Sequence, residues 1–237
     1  MGAPAIALTC GWTNNKGWTG SKNGLQSKAA INSASMTCPV VKQVMSIGVA
    51  ADCTYVDAHG GALEALKQII SNVNQASIVY EKSFNFMLGI SKIMIMEQCT
   101  PSSNDTVWNV QCKCEYTLAK RLSDFSLWRG EMASDQIGLW QLMTNCRSQP
   151  SVGIAWNGAA CQAGSSAANN SGTLEYLSGT SIASVVPVEW KVVAHEIGHN
   201  FGAVHDCSTA LCGASYEGCD CNPCSPNWDC QGKYCDL

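Results

Sequence analysis

The stretch WKVVAHEIGHNFGAVHDC, residues 190–207, holds three of the chain's four histidines, at positions 195, 199 and 205. It limits the fold more tightly than any other segment. At about 100° per residue, a helix over 190–201 carries Trp190, Val193, Ala194, Ile197 and Phe201 on one stripe that can face a core. His195 and His199, one turn apart, project together from the opposite side, with Glu196 on the flank of that exposed face. Gly202 follows, a residue that tolerates the left-handed conformation in which helices commonly end. The chain can then reverse and bring His205 back to the same point.

Two imidazoles at i and i+4 bite one metal ion, and a third completes a set of three nitrogens. Three neutral imidazoles with an open fourth position describe a catalytic zinc site, since structural zinc sites are closed by four protein ligands. Zinc lowers the pKa of a bound water, and a carboxylate beside it can take the proton and pass it to a leaving amine. Glu196 is placed for that role. The short pattern His-Glu-x-x-His also occurs on plain solvated helix faces; the glycine and third histidine at fixed offsets set this string apart. His59, in DAHGG, reads as a surface histidine in a turn.

The rest of the chain narrows the setting. Its 237 residues suit one sizeable domain. A net charge of -4 and the absence of any basic run exclude an electrostatic grip on nucleic acid. No apolar run reaches the roughly 18 residues needed to span a bilayer. Fifteen cysteines, spread from Cys10 to Cys235, indicate an oxidising compartment and hence a secreted product, and their odd number leaves at least one thiol without an internal partner. Two sequons, beginning at Asn104 and Asn169, fit that compartment. The start, MGAPAIALTCGWTNN, lacks the features of a signal peptide, so the true amino terminus is expected upstream.

Residues 1–37, rich in Gly, Ser, Asn and Lys, read as a loosely ordered leader. A β-branched run over 38–53 suits a buried strand. Apolar residues at Leu63, Leu66, Ile70, Val73, Tyr80 and Phe84 predict a long amphipathic helix. A strand over 84–97, a helix over 116–130 and a short strand within 151–158 follow, then a Gly/Ser/Asn-rich connection and the strand-helix unit that ends in the histidine string. Strands alternating with helices predict an α/β layer arrangement.

His195-Glu196-x-x-His199-x-x-Gly202-x-x-His205 matches the long motif of the metzincin zinc proteases. Asp206 after the third histidine resembles the adamalysin (reprolysin, ADAM-type) branch. From Cys38 onward, the stretches GVAADCTY, VYEKSFNF, RLSDFSLWRG, LWQLMTNC and VGIAWNGAAC resemble secreted fungal ADAM-like metalloproteases. The resemblance implies a twisted mixed sheet, an active-site helix below it and a small cysteine-rich lower subdomain. It implies a monomeric zinc endopeptidase acting on protein or peptide substrates, with His195, His199 and His205 as zinc ligands and Glu196 as general base. Gly153, Ile154, Ala155 and Trp156 match the edge strand that pairs with an extended substrate; a plain core strand is the other reading. Cys10, in LTCGWT, resembles the cysteine switch of ADAM-type propeptides, and equally suits one more disulfide partner.

The expected layout is a leader or propeptide remnant over 1–37 and a catalytic domain over 38–237, with 206–237 as its lower subdomain. One departure stands out. The family's methionine turn follows the third histidine, yet the last methionine here is Met143, so the lower subdomain is expected to be incomplete. A disulfide-stapled, zinc-binding interaction protein with little or no proteolysis is the alternative function. A separate zinc module in the tail is disfavoured, because CDCNPC contains only one C-x-x-C and no histidine.

Overall fold

The structure, a computed structural model, describes residues 6–8, 42–99, 106–132, 135–148, 151–170 and 173–205. Cys10, Asn104 and the tail from Asp206 onward lie outside the described residues, so the switch, the first sequon and the lower subdomain are not addressed by it.

The described strands are β1 (Ile6–Leu8), β2 (Gln43–Ala51), β3 (Phe86–Ile95), β4 (Leu139–Thr144), β5 (Gly153–Ala155), β6 (Ser166–Asn170), β7 (Thr173–Leu177) and β8 (Thr180–Ser184). The helices are α1 (Cys53–Ala58), α2 (Ala62–Phe84), α3 (Leu118–Glu131) and α4 (Glu189–Asn200). The main sheet runs β3-β2-β4-β8-β5, with β1 beside the first residues of β2. All neighbours are parallel except β5, which closes one edge antiparallel to β8.

The expected α/β layering is what the chain adopts. Strand alternation sends Met45, Ile47, Val49 and Ala51 of β2 to one face, where they meet Ile69, Val73 and Tyr80 of α2 and Val193 and Ile197 of α4. Ala50 of β2, with Trp140 and Leu142 of β4, faces the other layer, built on Leu122, Phe125 and Trp128 of α3. Gly48 is obligatory there, because a Cβ would stand 2.3 Å from the Trp140 indole.

Four features depart from the sequence reading. Within the segment taken as a leader, Ile6–Leu8 form β1. The buried stripe of α2 is Ala65, Ile69, Val73, Ala76 and Tyr80, whereas Leu63, Ile70 and Phe84 are exposed. Small alanines on that stripe bring the helix close to its neighbours. The sequence pattern marks no element at Leu139–Thr144, yet β4 is the fully buried centre of the sheet. The Gly/Ser/Asn-rich connection contains the antiparallel β6–β7 hairpin, tied to α3 where the Tyr176 N–H donates to Ser123 Oγ.

Disulfides Cys53–Cys99 and Cys112–Cys146 staple the ends of the strands, Cys161 is also disulfide-bonded, and Cys114 is a free, exposed thiol. Between them lies a fully buried ion pair, Arg121 with Asp52 at 2.9 Å. Asp52 also caps α1 by accepting from the Tyr55 N–H, and it accepts the hydroxyls of Thr54 and Thr144. Among the described residues no helix is long and apolar enough to cross a membrane.

Candidate metal centre and cleft

Helix α4 lies between β8, β5 and α2, and its ends are held differently. At its start, Glu189 is buried and accepts hydrogen bonds from Tyr55 Oη at 2.8 Å and Asn72 Nδ2 at 2.6 Å, with His59 Nε2 at 3.0 Å. His59 is therefore not a plain surface residue: it caps α1 and leans on the Tyr55 ring. Immediately before His195, Tyr80 Oη donates to the Ala194 carbonyl at 2.6 Å, so α2 fixes the height of α4.

The far end is docked on the loop after β5. Asn200 Nδ2 donates to the carbonyls of Trp156 and Thr180, while the N–H groups of Gly158 and Ala160 donate to the carbonyls of His199 and Asn200. Gly202 takes φ 96°, and its N–H and that of Ala203 return to His199 and Gly198. That pair of bonds is a Schellman stop, which a residue with a Cβ adopts only under strain.

The stop delivers His205. The three Nε2 atoms lie 2.9 Å (His195 to His205), 3.0 Å (His195 to His199) and 3.1 Å (His199 to His205) apart. Tetrahedral zinc–nitrogen bonds of about 2.0–2.1 Å put ligand nitrogens roughly 3.3 Å apart, so the cluster fits one such ion. Nδ1 of His199 lies 2.7 Å from the Ala203 carbonyl and donates to it, which turns the Nε2 lone pair toward the other two rings. Asn157 Nδ2 donates to that same carbonyl at 2.9 Å. Sequence reasoning missed Asn157, whose only local signal is its place in a turn after a short strand.

Glu196 corrects the helical projection. It sits on the buried stripe of α4, with Glu189, Val193, Ile197 and Asn200, while Phe201, assigned to the core, is 40% exposed. The polar members of the stripe escape a reading based on apolar periodicity, because Glu189 and Asn200 are buried with partners. No donor among the described residues reaches the Glu196 carboxyl, and burial pushes it up to about 8. Its room comes from the edge strand, since a Cβ on Gly153 would stand 2.3 Å from Glu196 Oε1.

The histidines and Glu196 open onto a cavity of about 660 Å³ whose opposite wall is residues 151–155. Trp156 does not line it: its indole N–H donates to Ser126 Oγ of α3 at 2.8 Å. In β5, the Val152 carbonyl and the Trp156 N–H bond to β8, so by alternation the N–H and C=O groups of Gly153 and Ala155 point to the free edge.

Comparison with known proteins gives a consistent picture. The family model described as metallo-peptidase family M12, of reprolysin type, matches residues 41–235. The disintegrin and metalloproteinase domain-containing protein B of Arthroderma otae is 41% identical over 184 residues, covering 74% of this chain and 23% of that protein. The Aspergillus fumigatus protein of the same name is 36% identical over 222 residues, covering 89% of this chain and 27% of that one. Zinc metalloprotease mde10 of Schizosaccharomyces pombe is 28% identical over 199 residues, covering 75% of this chain and 37% of that one. The chain thus spans about a quarter of the length of the protein B relatives. Among solved structures, a chain from a chaperone-substrate complex shares the fold with a TM-score of 0.52 at 16% identity, covering 73% of this chain and 26% of that one.

Proposed function

The chain belongs to metallo-peptidase family M12, and on that footing we propose that it is a secreted zinc-dependent endopeptidase acting on extended protein segments. The observation that carries this is the meeting of three histidine Nε2 atoms within 3.1 Å of one another, in a cleft that also holds buried Glu196. In this reading His195, His199 and His205 hold the metal. Zinc supplies Lewis acidity that polarises the scissile carbonyl and acidifies water.

The remaining work falls to the protein's own groups. The edge groups of Gly153 and Ala155 pair with the substrate main chain, which orients any extended peptide regardless of side chain. The carboxylate of Glu196 takes a proton from the attacking water as the new C–O bond forms. It returns that proton to the amine nitrogen as the C–N bond breaks. Disulfides at Cys53–Cys99 and Cys112–Cys146 support the secretory setting.

Native mass spectrometry combined with digestion of a broad peptide library tests the reading. Glu196→Gln is expected to keep zinc while cleavage falls by about two to four orders of magnitude, and His195→Ala to lose the metal. A zinc-loaded wild-type chain that cuts nothing would favour an interaction protein instead.

A further inference from the structure

We propose that Lys191 makes this cleft select peptides with a glutamyl side chain close to the bond that is cut, an inference that rests on the endopeptidase reading. Lys191, His195 and His199 are spaced by four on α4, so Lys191 stands one turn before the first histidine on the same face, about 6 Å along the axis. It lines the same cavity as the histidines. The neighbouring walls are apolar, formed by Val79, Val152, Ile154, Trp190 and Val192.

Two side chains bring formal charge to the lining besides the histidines, Glu196 and Lys191. The first is buried against Gly153. The second is exposed and has no carboxylate partner among the described residues, in contrast to Lys42, Lys67 and Lys120, which pair with Glu81, Glu64 and Asp124. An exposed ammonium at the rim of an apolar cavity favours a side chain that has both an apolar stem and a terminal carboxylate. A peptide added to the free edge of β5 turns alternate side chains toward α4, the geometry that brings such a group to Lys191. Glutamate meets both walls and charge; a basic residue there meets repulsion.

The experiment uses the full chain with zinc and sets of peptides identical except for one residue, Glu, Gln or Lys, scanned through the positions flanking the cut. At one position kcat/KM for Glu is expected to exceed that for Gln by about fivefold, the scale of an exposed charge pair, with the gap narrowing as salt rises. Lys191→Glu is expected to invert the order, so that the Lys peptide leads. Affinities of the same peptides for the Glu196→Gln chain, read by fluorescence anisotropy, should show the same order. Equal rates and equal affinities for Glu and Gln peptides, or a Glu preference that persists in Lys191→Glu, overturns the proposal. If no peptide is cut, the endopeptidase reading falls separately, and the affinity order still decides the role of Lys191.

Discussion

Gly153 and Glu196 occupy one space: a methyl group on the glycine would stand 2.3 Å from the carboxylate oxygen and 2.8 Å from its carbon. The edge strand and helix α4 approach closely here because one of them has no side chain. Gly153→Ala therefore has to push either the strand outward or the carboxylate out of its buried position. Misplacing a reacting group by about 1 Å can cost on the order of 100-fold in rate. The expected outcome is a fall in kcat/KM of roughly 10- to 100-fold with zinc content unchanged. Metal analysis beside peptide kinetics checks it, and loss of zinc together with activity would point to a general collapse of the site.

The burial of Glu196 also gives the metal-free protein a pH signature. Its folded pKa is raised from 4.5 to about 8, so folding favours the protonated form. The resulting stabilisation is fully present below the unfolded value and is lost as pH rises through about 8. After chelation, the melting temperature of the wild type should fall across that window relative to Glu196→Gln, by the equivalent of a few kcal/mol at most, on the order of 1.4 kcal/mol per pH unit. Parallel melting curves for the two proteins from pH 5 to 9 would remove the basis for the raised carboxyl.

The clustering of the three histidines was legible because its cause is local: residue types, helical spacing and a glycine stop all lie within eleven residues, from His195 to His205. The surroundings were not, because they depend on contacts far apart in sequence. Nothing near Glu196 indicates that Gly153 leaves it a buried niche, or that Tyr55, Asn72 and His59 converge on Glu189. Strand β4 hid for a related reason. It is buried on both faces, so it shows no alternation, and its polar members are satisfied inside, Gln141 by Ser181 at 2.7 Å and Thr144 by Asp52 at 2.5 Å. In α2, exposed Leu63, Ile70 and Phe84 pulled the apparent stripe out of phase with the alanines that make the contact.

The turn that delivers His205 depends on two residues outside the ligand set. Asn157 and His199 donate to the same Ala203 carbonyl, and Gly202 holds φ 96° one residue earlier. Groups that orient ligating imidazoles are typically worth 10- to 100-fold in metal affinity. Asn157→Ala is expected to weaken zinc binding about tenfold. Gly202→Ala, forced into a conformation costing roughly 1 kcal/mol, should act in the same direction. Competition titration with a chelator of known affinity measures both. Wild-type affinity in Asn157→Ala would show that the Ala203 carbonyl orients His199 unaided.

The last prediction concerns the opposite end of α4. Glu189 is buried among three polar partners drawn from α1, α2 and the α1 cap, which makes it the point where three segments lock together. Removing the carboxylate takes the acceptor from the Tyr55 hydroxyl and leaves the Asn72 amide only the Tyr55 oxygen, 3.5 Å away, in a closed space. Each buried group left unpaired costs about 1–3 kcal/mol. Glu189→Leu should thus destabilise the fold by roughly 2–5 kcal/mol. Glu189→Gln keeps the shape and one carbonyl acceptor, so its cost should be clearly smaller. Tyr55→Phe, which removes one donor and leaves Glu189 with the other two, should fall between the wild type and Glu189→Leu. Urea unfolding of the four proteins gives the ranking. A Glu189→Leu chain as stable as the wild type would mean that packing alone seats the helix and that this network does not hold it.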